Sequence, residues 1–314
     1  MKDMMYAVLI LVIGFVLLIK GADFFVDGSS SVAKKLRVPS IIIGMTIVAM
    51  GTSLPECAVS VTAAMTHNNG LAIGNVIGSN IFNLMVVCGA CTLFMPLVVS
   101  KETMRREFPF SVFCAALLIV LGYFGLELGR ADGIILLVLF VAYLIYMVYF
   151  AVTGRTEVTE EEDYAILPGW KCTVYIIGGM IAIKYGGDFV VNGATTIATG
   201  FGISQTIIGL TIVALGTSLP ELVTSIVAAR KNELDMAVGN VIGSNIFNIL
   251  LILGVAATIS PVAFSMENLM DTIALILMSL IVWLFAHSKE KIVKGEGIAM
   301  LVMYAVYMVY ICVR

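Results

Sequence analysis

The sequence predicts an all-α integral membrane protein: ten transmembrane helices in two inverted-topology repeats of five, with N- and C-termini outside. Three observations carry this. Of the 314 residues, 60 % are hydrophobic and only 12 % charged, about half the charged share of an average soluble domain. Ten apolar stretches approach the ~20 residues that a bilayer core requires. A large part of the first half also returns in the second at a constant offset of 165 residues.

The composition excludes a soluble fold, which has nowhere to bury so much apolar surface. A closed membrane barrel needs alternating segments of ~10 residues, and none are present. The spans are expected near residues 4–26, 40–64, 71–95, 107–126, 132–152, 170–192, 203–229, 236–259, 268–287 and 297–313. After the first apolar run the chain continues Lys20-Gly-Ala-Asp-Phe-Phe rather than into a small-residue cleavage site, so a retained span is expected.

Orientation follows from Lys and Arg. Alternate loops on one side hold 13 of them, from Lys34, Lys35 and Arg37 to Lys289, Lys291 and Lys294, while the other side holds only Lys2, Arg130 and Arg314. The basic side is the cytoplasmic one. It includes a linker with the acidic run Glu160-Glu161-Glu162-Asp163, read as a solvated connection because it lacks the pattern of a Ca²⁺-binding loop. The division is a first half at 1–153, a linker at 154–168 and a second half at 169–314.

The repeat needs no gap. Gly44-Met-Thr-Ile-Val-Ala-Met-Gly-Thr-Ser-Leu-Pro-Glu56 returns as Gly209-Leu-Thr-Ile-Val-Ala-Leu-Gly-Thr-Ser-Leu-Pro-Glu221, and Gly74 to Asn83 returns unchanged as Gly239 to Asn248. Five spans per unit invert the second copy. The basic residues follow the membrane side and not the repeat: Lys34, Lys35 and Arg37 correspond to Thr199, Gly200 and Gly202. Inverted repeats are the architecture of secondary transporters, with a midplane site between the halves.

Glu56 and Glu221 fall well inside spans two and seven. A carboxylate at the bilayer centre costs at least ~2.5 kcal/mol, so it requires partners or a function. A lone helix–helix hydrogen bond would account for one such residue in an apolar helix. Here a set of hard oxygen groups occurs twice. Thr52, Glu56 and Ser60 share a helix face at four-residue spacing, as do Thr217, Glu221 and Ser225, with Ser53 and Ser218 one step round. Pro55 and Pro220 interrupt the backbone ladder, which is expected to expose carbonyls including those of Ala49 and Ala214. Spans three and eight add Asn75, Ser79 and Asn83, then Asn240, Ser244 and Asn248. Asn75 and Asn240 read best as interhelical bonds, and Gly74 and Gly78 as a close helix approach.

Every candidate ligand is an oxygen, which suits Ca²⁺, Na⁺, K⁺ or Mg²⁺ rather than zinc or copper. Two fixed negative charges balance one divalent or two monovalent ions, a basis for competitive exchange. Cys88 and Cys91 lie mid-helix without a second pair, so they and the other four cysteines read as free thiols. His67 and His287 are expected in loops.

At these residues the sequence resembles the cation/Ca²⁺ exchanger superfamily, specifically its prokaryotic Na⁺/Ca²⁺ exchanger branch, over essentially the whole chain. The resemblance implies a secondary antiporter, not an enzyme, with no cofactor and with Na⁺ and Ca²⁺ as transported ions, working in a cell membrane and as a monomer. It implies four cation positions. Glu56, Glu221, Thr52 and Thr217 would hold Ca²⁺. The Ala214 carbonyl, Thr217, Ser218 and Ser79 would form one Na⁺ position, and the Ala49 carbonyl, Thr52, Ser53 and Ser244 its mirror. It further implies that helices one and six slide over the other eight in alternating access. Many members carry an aspartate where this chain has Asn248; here that position matches Asn83, and a third carboxylate is lacking.

Three other functions fit less well. An H⁺/Ca²⁺ antiporter of the same fold has no need of paired flanking hydroxyls, and its K⁺-dependent relative fits less well where a third carboxylate is lacking. An intramembrane hydrolase would need a nucleophile with a base. A channel would not need inverted halves with broken helices.

Overall fold

In the computed structural model the described residues are 2–153, 166–203, 212 and 214–313. The acidic run 160–163, most of the linker and part of the span expected at 203–229 lie outside the described residues. Among the described residues, eight helices are long and apolar enough to cross a bilayer: Met4–Leu36, Gly70–Phe94, Lys101–Tyr123, Arg130–Thr153, Gly169–Gly200, Leu234–Ile259, Met266–Lys289 and Lys294–Val313. The pair Ser40–Thr52 and Leu54–Met65, bent by 51° at its break, is apolar and long enough to make a ninth if the two pieces form one span. The chain is an all-α membrane protein.

Two helices outrun their expected spans. Lys2–Leu36 has 35 residues and Gly169–Gly200 has 32, because the polar residues after each apolar run continue the helix without a breaker. At ~1.5 Å per residue each reaches roughly 50 Å, well beyond the ~30 Å hydrocarbon layer. They cross along glycine. Gly14, Gly21 and Gly28 recur every seventh residue, and so do their repeat mates Gly179, Gly186 and Gly193. A Cβ on Gly21 would lie 2.9 Å from the Ile183 nitrogen, one on Gly186 2.7 Å from the Leu18 nitrogen, and one on Gly193 2.8 Å from the Ala7 oxygen. Backbone therefore meets backbone along the seam.

The break in the second crossing sits at Ser53 (φ −81°, ψ 10°), with Pro55 in the first turn of the following helix. Ser218 (φ −92°, ψ 5°) and Pro220 repeat the arrangement before Leu219–Arg230. Wider π-helical turns begin at Asn83 and at Asn248, and a third spans Gly44–Val48. Such turns are frequent at functional sites.

Helix Leu234–Phe247 is buried on every side from Met236 to Phe247. A Cβ on Gly239 would lie 2.6 Å from the Ile41 oxygen, and one on Gly243 2.6 Å from the Met45 Cα. The close approach expected at Gly74 and Gly78 is thus found at their mates instead. No described atom lies within 4 Å of a Cβ on Gly70, Gly74 or Gly78. That face borders a cavity of about 400 Å³ that also reaches Asn75, Ser79, Thr217 and Asp271.

Two short antiparallel ribbons, themselves repeat mates, tie one half to the other. Leu97–Val98 pairs with Lys291–Ile292, and Glu127–Leu128 pairs with Val262–Ala263. His287 departs from the loop expected for it. It lies in helix Met266–Lys289, stacked on Trp283 at 5.0 Å, and Trp283 donates to the Met104 carbonyl at 3.0 Å. The cysteines are free, and Cys88 and Cys91 are buried in the core.

Candidate functional site

Glu56 and Glu221 each sit in the first turn of a half-helix created by the proline break. The partial positive charge of a helix N-terminus favours a carboxylate there. Both residues are completely buried. Ser53 and Ser218 occupy the N-cap positions of these half-helices, yet neither side chain caps its own helix. Each hydroxyl instead donates across the molecule. Ser218 Oγ donates to Glu56 Oε1 at 3.0 Å, and Ser53 Oγ donates to Glu221 Oε1 at 2.8 Å. The Thr217 side chain lies beside Glu56, and the Thr52 side chain beside Glu221.

The second carboxylate oxygens are the informative ones. Glu56 Oε2 and Glu221 Oε2 are buried without a hydrogen-bond partner, as are Asn83 Oδ1, Asn248 Oδ1 and Ser244 Oγ. An unmet buried polar atom costs about 1–3 kcal/mol, more when charged. Among the described residues no Lys, Arg or His forms an ion pair with either glutamate. The set consists of acceptors or hydroxyls, oxygen groups of the kind that ligate hard cations.

Other candidates take different places. Ser79 Oγ lies 3.2 Å from Ser218 Oγ and donates to it, since the Ser218 proton is committed to Glu56, beside the cavity that reaches Thr217. Thr52 Oγ1 also lies 3.1 Å from Asn240 Oδ1. The Ala49 carbonyl is not freed by the break as expected: it accepts from the Ser53 nitrogen at 3.0 Å, with Thr52 Oγ1 3.3 Å away. Ala214 opens the short helix Ala214–Gly216. Ser60 and Ser225 turn away from the glutamates. They accept from Asn75 and Asn240, each at 2.9 Å, and these amides also reach the Glu56 and Glu221 carbonyls at 3.3 and 3.4 Å.

Asn80 and Asn245, not singled out from the sequence, form the centre of an amide knot. Each side chain donates to the other's backbone carbonyl, at 3.1 and 3.2 Å. Asn83 then donates to Asn245 Oδ1 at 3.2 Å, and Asn248 to Asn80 Oδ1 at 3.0 Å. With both amide nitrogens engaged, the Asn83 and Asn248 oxygens are left as acceptors. The signal for Asn80 was its place in the decapeptide that recurs unchanged.

Asp23 and Asp188 lie outside this set. Asp23 is 3.4 Å from Lys231 and 3.7 Å from Lys20, and Asp188 is 3.0 Å from Lys184.

The family model described as sodium/calcium exchanger protein matches residues 6–149 and again 171–313. The putative antiporter CaxA of Alkalimonas amylolytica is 43 % identical over 293 residues, covering 88 % of this chain and 91 % of that protein. The sodium/calcium exchanger MaX1 of Methanosarcina acetivorans is 32 % identical, covering 96 % and 97 %. A structure of the sodium-calcium exchanger NCX_Mj soaked with Na⁺ and Sr²⁺ superposes with a TM-score of 0.85 at 35 % identity, covering 98 % of this chain and 99 % of that one.

Proposed function

The chain belongs to the sodium/calcium exchanger protein family, and on that premise we propose how its residues perform the exchange. The protein is a multi-pass membrane antiporter that exchanges Na⁺ for Ca²⁺. Glu56 and Glu221 hold the Ca²⁺ through their unpartnered Oε2 atoms, with Thr52 and Thr217 beside them. Ser79, Thr217, Ser218 and the Ala214 carbonyl form one flanking Na⁺ position. Ser244, Thr52, Ser53 and the Ala49 carbonyl form its mirror. Asn83 and Asn248 supply the remaining oxygens.

The observation that carries this reading is the reciprocal pair of serine bonds. Each glutamate is held by the other half through one oxygen and is left with one buried, unpartnered oxygen. Two negative charges are balanced by one Ca²⁺ or by two Na⁺, so the ions compete. A site left at −2 resists crossing because an uncompensated charge in the membrane interior is costly.

The architecture of this reading has ten spans. The halves 1–153 and 169–314 are inverted about the linker 154–168, both termini lie outside, and the working unit is a monomer. Access alternates as helices 2–36 and 169–200 slide on their glycine seam. Ca²⁺ uptake into proteoliposomes loaded with Na⁺ tests the reading. An outward Na⁺ gradient is expected to drive uptake, with net charge movement because the neutral flanking oxygens carry Na⁺ beyond the two that balance the carboxylates. Uptake driven by a pH gradient and indifferent to Na⁺ would replace it with a proton antiporter.

A further inference from the structure

A second group of buried, unmatched polar atoms lies far from the doubled set, between helices Glu107–Tyr123 and Arg130–Thr153. Glu107 and Tyr143 are each 6 % exposed, and neither Glu107 Oε2 nor the Tyr143 hydroxyl has a hydrogen-bond partner. Both line one cavity of about 330 Å³, together with Arg106, Phe110, Leu139 and Met147. At the 165-residue offset Glu107 corresponds to Thr272, and the ribbon register, which carries the later helices at an offset of 164, makes Tyr307 the mate of Tyr143; neither Glu107 nor Tyr143 belongs to the doubled ion cage.

The lining specifies its ligand. A carboxylate oxygen and a phenol oxygen side by side are met at once by a primary ammonium, which carries three N–H donors; a quaternary ammonium carries none. The wall is apolar, with the Phe110 and Tyr143 rings stacked at 5.6 Å, and it takes hydrocarbon. Arg106 also lines the cavity and is exposed, its guanidinium 5.5 Å above the Phe150 ring, and a guanidinium fork can hold phosphate through two parallel hydrogen bonds. Arg106 and Glu107 are consecutive at the start of a membrane helix, where polar headgroups meet the hydrocarbon. Anionic group, cationic group and apolar wall thus stand side by side at headgroup depth.

We propose that this groove binds one amine-headed zwitterionic phospholipid, with its ammonium on Glu107 and Tyr143, its phosphate on Arg106 and an acyl chain along Phe110 and Met147. The leaflet it comes from, the cytoplasmic one, rests on the orientation proposed above; the binding chemistry does not.

The test is native mass spectrometry of the delipidated full-length protein, titrated with phosphatidylethanolamine, phosphatidylcholine and phosphatidylglycerol of matched chains. One phosphatidylethanolamine adduct is expected to persist roughly tenfold or more above the other two, the effect of a charge-assisted hydrogen bond. Glu107→Gln brings it down to the phosphatidylcholine level, and Tyr143→Phe weakens it in part. Equal retention of all three lipids overturns the proposal. So does preferred retention of phosphatidylglycerol, or a phosphatidylethanolamine preference untouched by either substitution. Should Glu107→Gln fail to fold, Tyr143→Phe and the lipid series on wild type decide. Adduct counting does not involve transport, so failure here leaves the exchange reading standing, and the reverse.

Discussion

Replacing Glu221 by Gln separates the structural from the electrostatic role of the site. Glu221 Oε1 accepts from Ser53 at 2.8 Å, and Oε2 is buried without a partner. A glutamine keeps the first bond and places an amide nitrogen where the second oxygen stood. That group can donate to Asn83 Oδ1 or Asn248 Oδ1 if it reaches them, and a neutral amide costs less to bury than a carboxylate. Folding is therefore expected to hold, with thermal stability at or above wild type. The ions fare differently. At ~4 Å and an effective dielectric of ~20, two unit charges attract by ~4 kcal/mol, so removing one charge costs Na⁺ about 4 and Ca²⁺ about 8 kcal/mol. The absolute figures are upper bounds, and the ratio of two is what decides. At ~1.4 kcal/mol per decade, Ca²⁺ affinity falls by up to about three more orders of magnitude than Na⁺ affinity. Radiolabelled Ca²⁺ uptake into Na⁺-loaded proteoliposomes is expected to vanish in Glu221→Gln and Glu56→Gln, with calorimetry in detergent giving the two affinities. Wild-type flux in either variant would refute the assignment. Equal losses for Na⁺ and Ca²⁺ would refute the charge counting.

Ser53→Ala and Ser218→Ala each remove a hydrogen bond to a carboxylate, worth about 1.5–3 kcal/mol, and one Na⁺ ligand; the half-saturating Na⁺ concentration is expected to rise more than that for Ca²⁺, as measured by flux titration. Gly243→Ala drives a Cβ into the Met45 backbone at 2.6 Å, and it is expected to lower the melting temperature far more than Gly78→Ala, in a side-by-side thermal unfolding comparison in detergent. Asn248→Asp exchanges the 3.0 Å donation to Asn80 for a third negative charge, and an additional monovalent cation per cycle is expected, read as a shifted reversal potential for Ca²⁺ flux. An unchanged reversal potential would place Asn248 outside the ion path.

The membrane class, the broken helices and the two glutamates were legible because each rests on local information: apolar length, a proline and a motif that recurs at fixed offset. The reach of helices 2–36 and 169–200 was not, since hydropathy ends an apolar run where the helix itself continues through residues such as Asp23 and Lys34. The seven-residue glycine series was present in the sequence, but its meaning depends on which helix lies opposite. The diversion of Ser53 and Ser218 from their own helix ends was illegible for a stronger reason. A serine before a proline-started helix is a normal cap, and only the packing of one half on the other offers it a better acceptor. The equivalence of Gly74 and Gly239 misled in the same way, because identical sequence in inverted halves does not guarantee identical neighbours.

The contacts between halves also differ in kind from those between the long helices and the rest. The ribbons join the halves by backbone ladders on opposite loops, and the amide knot joins them at the core through Asn80 and Asn245. Both have fixed registers, because a hydrogen-bonded pair cannot shift by a fraction of a residue without breaking. The seam between helices 2–36 and 169–200 presents glycine backbone at seven-residue intervals, packed by van der Waals contact on the opposite backbone and on side chains such as Val190, Ile176 and Phe25, contacts that can shift without breaking a directional bond. The proposed motion therefore belongs to the long pair, and it costs least if the ion cage stays intact while it occurs. That requires Ser53–Glu221 and Ser218–Glu56, worth about 1.5–3 kcal/mol each, to travel with the core. All four residues lie at the breaks of the two shorter crossings and none lies on the long helices. In the proposed mechanism ion selection and ion access fall to different helices, and the site keeps its geometry while the path to it changes sides.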